Sequence, residues 1–157
     1  MLRAVTKKTG LFSINPPYAI LDGETEVAEV HYAPSRQRGQ VLADGLVYQA
    51  YSRGMFLPAY VFELDGAPLV EVQRPKLFTL SNVVTIAGGK TYVLRPASLF
   101  SSRYVLLDNG QRVGEIRSEG IWGNRFVIDL PDAIPVPVQA FLFWTVRTLR
   151  EHSRNSD

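Results

Sequence analysis

Apolar and polar residues alternate along most of this chain, in runs such as "YVFEL" (60–64) and "FVIDL" (126–130). A period of two predicts half-buried strands with one inward and one outward face. Asp-Gly or Asp-Asn-Gly separates many of these runs, and it is a strong short hairpin signal because a tight primed turn needs positive φ. No helical pattern is present before residue 133. From Ile134 the pattern changes to "IPVPVQAFLFWTVRTLREH" (134–152), where Phe141, Leu142, Phe143 and Trp144 point in every helical direction. A helix apolar all round must be buried on every side.

The alternating region contains an internal repeat. Shifted by 44 positions without a gap, Tyr48 falls on Tyr92, Phe56 on Phe100, Tyr60 on Tyr104, Val61 on Val105, Gly66 on Gly110, Glu71 on Glu115 and Val83 on Val127. A more worn copy precedes these two. In it Leu11-Phe12 matches Met55-Phe56 and Leu99-Phe100, Tyr18 matches the tyrosines, and Glu29 follows at the same spacing as Glu71 and Glu115. Each unit (about 1–45, 46–89 and 90–133) reads as four strands, about twelve in all.

The helix, predicted over about 135–151, stands where the next unit would begin. Proline suits its first turn, and Asp132 is positioned as a cap or dipole partner. Its apolar part ends at Arg147, short of the roughly 20 residues that a membrane span requires. Val138 to Arg150 would extend roughly 20 Å, about the length of a six-residue strand. Twelve strands closed round nothing would leave a void, so the expected fold is mainly β: an antiparallel barrel of about twelve strands around a buried C-terminal helix.

Composition narrows the chemistry. The 157 residues, 46% hydrophobic and 20% charged, suit one domain. There is no cysteine, which removes disulfides, thiolate nucleophiles and cysteine-ligated zinc. Two early lysines interrupt any apolar signal core, so the expectation is no export signal and a cytoplasmic location, peripheral at a membrane if lipid is the partner. "AGGKT" (87–91) ends like a phosphate-binding loop, but Val84 stands where the leading glycine is required, and the register places Gly88-Gly89 at a hairpin turn.

Three units with the tyrosine, the Asp-Gly turn and the Glu-Val or Glu-Ile ending, followed by a hydrophobic C-terminal helix, resemble the tubby C-terminal-like superfamily. That superfamily includes the tubby domain, phospholipid scramblases and LURP-one-related proteins. The resemblance covers nearly the whole chain and implies a twelve-stranded barrel around a central helix, with phosphoinositide binding or lipid movement among the functions. No segment matches an acidic calcium-binding loop or a cysteine-rich acylation site, and no phosphoinositide-binding residue carries over.

If the strands run up and down, the links within each unit's two strand pairs share one end of the barrel. That end carries Lys7, Lys8, Arg36, Arg38, Arg53, Arg74, Lys76, Arg95 and Arg117. The Asp-Gly turns and unit junctions share the other end, with Asp22, Glu24, Asp44, Asp65, Asp108 and Asp132. The helix enters from the acidic end, so Arg147, Arg150 and Arg154 should emerge among the basic residues. Arg36, Arg38, Arg53, Arg74, Lys76, Arg95, Arg117, Arg147 and Arg150 are therefore the candidate anion-binding set. The net charge is only +2, however, and thirteen of the seventeen basic residues are arginine, so solvated loops are the bland alternative.

The reading is a non-enzymatic binding or scaffolding module for anionic phospholipid headgroups or an acidic protein surface. Nucleic acid is disfavoured, because no aromatic side chains are clearly interleaved with the arginines. The alternative is a small-ligand carrier or an enzyme with a cleft at a barrel rim, which a deep pocket with convergent polar groups would favour. No catalytic set, cofactor or metal site is assigned: His31 and His152 are the two histidines, and Glu29, Glu71 and Glu115 should lie far apart on the outer face. The repeated tyrosines read as strand formers with a hydroxyl near the strand end.

Overall fold

The computed structural model describes residues 1–7, 15–33, 37–76, 78–99, 101–120 and 124–154, the last without the side chain of Arg154. The alternating runs form β1 (Leu2–Thr6), β2 (Tyr18–Asp22), β3 (Thr25–Ala33), β4 (Arg38–Ala43), β5 (Leu46–Arg53) and β6 (Ala59–Leu64). They continue as β7 (Ala67–Gln73), β8 (Asn82–Ile86), β9 (Thr91–Pro96), β10 (Tyr104–Asp108), β11 (Gln111–Ser118) and β12 (Arg125–Asp129). Every neighbour in sequence is a neighbour in the sheet, all antiparallel, and β1 pairs with β12 to close the barrel. Up-and-down closure leaves no unpaired sheet edge.

The threefold repeat is structural as well as sequential. Tyr18 faces Val30, Tyr60 faces Val72 and Tyr104 faces Ile116 in the same register of their hairpins. Each hairpin then carries an irregularity at the same place, between Ile20 and Leu21, Phe62 and Glu63, and Leu106 and Leu107. A bulge strengthens local twist, and three of them at equivalent positions help bend the sheet toward closure. The turns beyond are primed, with φ of 51° and 81° at Asp65 and Gly66 and 49° and 79° at Asn109 and Gly110. Gly88 and Gly89 occupy the β8–β9 turn, where Gly89 N–H donates to the Ile86 carbonyl at 3.0 Å, so "AGGKT" is a hairpin.

One helix, α1 (Val136–Arg154), threads the barrel from the tight-turn end to the long-loop end. Its start lies beside the β12 terminus, where the Gln139 side-chain amide donates to the carbonyls of Ile134 and Pro131. The Gln139 backbone N–H donates to Pro135, which places the cap at Pro135 rather than at Asp132. Ala140 to Val146 are all fully buried, including Thr145, whose hydroxyl donates back to the Phe141 carbonyl at 3.0 Å. Phe141 stacks on Phe62 and Phe143 meets Tyr18 edge-on, with ring centres 4.8 and 5.0 Å apart. Most inward side chains are apolar, and the repeated glutamates with their cation partners lie outside, the reverse of a lipid-facing barrel. Among the described residues no helix is long and apolar enough to cross a membrane.

The helix is not centred. It packs most extensively on β3 and β4, where the inner face is built from small residues such as Ala28, Gly39 and Ala43. Larger residues face inward from β6 to β10, among them Tyr60, Asn82, Tyr92 and Tyr104. At the long-loop end this offset leaves a cavity between the helix and the β6–β10 side.

Candidate anion-binding cavity and its rim

The alternation of strand direction sets the ends apart electrostatically. Arg53, Arg74, Lys76, Arg95 and Arg117 lie at or near the long-loop ends of their strands, whereas Asp22, Asp44, Asp65 and Asp108 lie at the tight turns. Lys90, a cation at the tight-turn end, is matched by Asp108 at 2.8 Å.

The candidate arginines divide into two groups once strand register is known. On the outer face each repeated glutamate gathers cations. Glu29 receives Lys7 at 3.0 Å, with the His31 ring 3.0 Å from its other oxygen, and Glu71 receives Arg53 at 2.8 Å. Glu115 receives Arg103 at 3.1 Å, Arg112 at 2.6 Å and Arg117 at 3.5 Å. Arg53 is thus paired one to one with a carboxylate of its own barrel, whereas Arg117 shares the single charge of Glu115 with two other arginines. Arg38 borders a shallow outer hollow with Tyr51 and Glu63. Arg36 and Lys8 lie outside the described residues.

Arg147 lies inside the barrel mouth. Its guanidinium stands 5.9, 5.6 and 5.4 Å from the ring centres of Tyr18, Tyr32 and Phe126, and Glu151 follows at 3.7 Å. Three aromatic faces compensate partial burial of that cation. Burial, followed by the charge of Glu151, pushes the Tyr32 phenol far up, so it stays neutral beside them.

Arg74 and Arg150 enter the cavity. It measures about 730 Å³, and beside these two guanidiniums it is bounded by the rings of Tyr60 and Tyr104, Asn82, and the serines Ser101 and Ser102. Met55, Leu80, Leu99 and Leu149 supply an apolar wall. Among the described residues no Asp or Glu lines it, and His152 does. Tyr60 is 1% exposed, and its hydroxyl is buried without a hydrogen-bond partner. Burial pushes its pKa up to about 12, offset in part by the charge of Arg74. Tyr104 is raised by burial against the opposing pull of Arg150 and Arg74. Both phenols are therefore neutral donors at ordinary pH, facing two permanent cations.

Around this cavity stand the most exposed apolar side chains of the described residues. Met55, Phe56, Phe78 and Leu99 are each at least 77% exposed, on the β5–β6, β7–β8 and β9–β10 connections. Lys76 and Arg95 are exposed on the same side. Sequence reasoning assigned the basic residues but not these apolar tips or the tyrosine hydroxyls. The signal for the tyrosines was the repeat itself: equivalent strand-start positions must face the same level of the barrel interior. Among the described residues no group of His, Asp or Glu is arranged to hold a metal. No protein-family model, curated protein or solved structure matches this chain.

Proposed function

We propose that this chain is a non-enzymatic binding module that docks on anionic lipid surfaces through the long-loop end of its barrel. The coincidence at one end of exposed Met55, Phe56, Phe78 and Leu99 with Arg74, Lys76 and Arg95 supports this reading. Apolar side chains at loop tips are costly in water and gain by entering the acyl boundary of a bilayer. Basic residues beside them gain about 1 kcal/mol each near an anionic leaflet. Neither feature alone is decisive, since scattered exposed apolar residues are ordinary and surface arginines are commonly solvated. Together they match a bilayer better than an acidic protein, whose surface would answer the cations but not the apolar tips. The tubby-like resemblance of the repeat and terminal helix is the family assignment that accompanies this proposal.

The cavity supports a second reading, a carrier of small ligands, through its convergent polar groups beside an apolar wall. Flotation of the protein with phosphatidylcholine vesicles, with and without phosphatidylserine, tests the docking proposal. Recovery that requires phosphatidylserine, falls with salt and is lost in a Phe56→Ser, Phe78→Ser double variant is expected. Equal recovery from both vesicle types would overturn it.

A further inference from the structure

We infer that the barrel self-associates head to tail, the long-loop end of one copy seated on the acidic tight-turn end of the next.

The inference begins with charges that have no partner in their own barrel. Asp22, Glu24, Asp44, Asp65 and Asp132 lie exposed at the tight-turn end, and Arg74, Lys76 and Arg95 lie at the long-loop end. Among the described residues none of these is in an ion pair, whereas Arg53 pairs with Glu71 and Lys90 with Asp108. These unpaired charges are of opposite sign at opposite ends. Their field draws unlike ends together and holds like ends apart, so it favours a copy that arrives end-on in one orientation.

Apolar surface gives that contact a seat. The tips Met55, Phe56, Phe78 and Leu99 are each at least 77% exposed at the long-loop end. At the other end Leu46 and Val47 are 43% and 46% exposed, directly after the Asp44-Gly45 turn, and Ala67 and Pro68 are exposed at the start of β7. Apolar positions bordered by carboxylates complement apolar tips bordered by cations. Unlike a purely acidic surface, the tight-turn end answers both features. A tip-to-tip dimer would also cover Phe56 and Phe78, but it would set Lys76 and Arg95 of two copies against each other, and like charges face to face disfavour a complex.

A head-to-tail contact leaves one tight-turn end and one long-loop end unused, so growth is open and does not stop at a dimer. Contact through loop tips is small, and interfaces of small area are transient. The assembly is therefore weak and sensitive to salt. It does not rest on membrane docking, although a bilayer and a second copy exclude each other at the same tips.

Sedimentation velocity of the full chain without lipid tests it. In about 10 mM salt, where the screening length is about 30 Å, the mean sedimentation coefficient should rise with protein concentration and pass beyond that of a dimer. At about 0.15 M, with a screening length of about 8 Å, the rise should be much smaller. Glu24→Lys with Asp132→Lys reverses one end without touching the left-handed backbone at Asp44 or Asp65, and Lys76→Glu with Arg95→Glu reverses the other. Each double variant should unfold cooperatively like the unmodified chain and associate at least about tenfold more weakly. An equimolar mixture of the two should regain assembly, because each reversed end then meets its opposite. The Glu24→Lys, Asp132→Lys variant should still float with phosphatidylserine vesicles at least as well as the unmodified chain, which separates loss of assembly from loss of docking. A chain that stays monomeric in low salt at every concentration, growth that stops at a dimer, or variants that assemble undiminished or fail to recover on mixing overturns the inference whatever flotation shows.

Discussion

Trp144 occupies the space that a side chain at residue 39 would fill. A β-carbon on Gly39 would overlap the indole Nε1 of Trp144 and the carbonyl oxygen of His31. The absent side chain lets α1 lie close to β4, and the offset of the helix follows from it. The cavity on the opposite side is the other consequence of the same close approach. Gly39→Ala should cost about 1–3 kcal/mol in denaturant unfolding, the usual range for overpacking a tight interior. An unchanged midpoint would contradict this close packing, because a shift of the helix relieves the contact with Trp144 but not the one with the His31 carbonyl of the paired strand.

The helix fills the barrel, so the barrel should not survive without it. A chain ending at Pro131 loses the fully buried Phe141, Phe143 and Trp144 and leaves the inner faces of twelve strands uncovered. It should be insoluble, or retain far-ultraviolet signal while losing near-ultraviolet signal and binding hydrophobic dyes. Cooperative unfolding of that truncated chain would contradict the plugged-barrel account.

The two cavity tyrosines give the protein an alkaline limit. Tyr60 ionises near pH 12 instead of the ordinary 10 because it is buried, and Tyr104 is shifted the same way for the same reason. Above about pH 10 the unfolded chain releases phenolic protons that the native state retains, so stability falls as pH rises. Below pH 10 both states are protonated and the contribution is constant. Tyrosinate absorbance from these residues should therefore rise together with loss of tertiary structure, and Tyr60→Phe should move that transition to higher pH. Smooth titration of all tyrosines near pH 10 in folded protein would refute the burial.

Outer-face glutamates restrain the basic end. Glu71→Gln releases Arg53, and Glu115→Gln releases Arg103 and Arg117 at the long-loop end together with Arg112 beside the tight turn. Each substitution should change stability by about 1 kcal/mol or less, as expected for exposed ion pairs. Affinity for phosphatidylserine vesicles should rise by up to about fivefold for each arginine freed near the surface. A fall in affinity would place the lipid contact elsewhere.

The architecture was legible because its signals are local and repeated. The Asp-Gly turns, the alternating runs and the all-round apolarity of Phe141 to Trp144 each name one element, and the threefold register orders them. The helix begins at Val136 and ends at Arg154, close to the expected bounds. The candidate site was only half legible. Which arginines pair on the outer face depends on cross-strand neighbours such as Arg53 and Glu71, which lie 18 residues apart and meet only through the register of β5, β6 and β7. The cavity depends on Gly39, whose role is visible only once Trp144 is beside it. Tyr60 looked like an ordinary strand residue because nothing in the sequence reveals that its hydroxyl lacks a partner.

Position at the membrane is the claim on which the functional account rests, and the absence of native cysteine makes it directly measurable. A nitroxide attached at Phe78→Cys reports on the long-loop end, and one at Leu46→Cys reports on the tight-turn end. Collisional accessibility to oxygen and to a water-soluble nickel chelate should be compared with and without phosphatidylserine vesicles. The account predicts that the Phe78→Cys label gains oxygen and loses nickel accessibility when vesicles are added, while the Leu46→Cys label is unchanged. Vesicle binding that leaves the Phe78→Cys label in water, or that shifts the Leu46→Cys label instead, would contradict it.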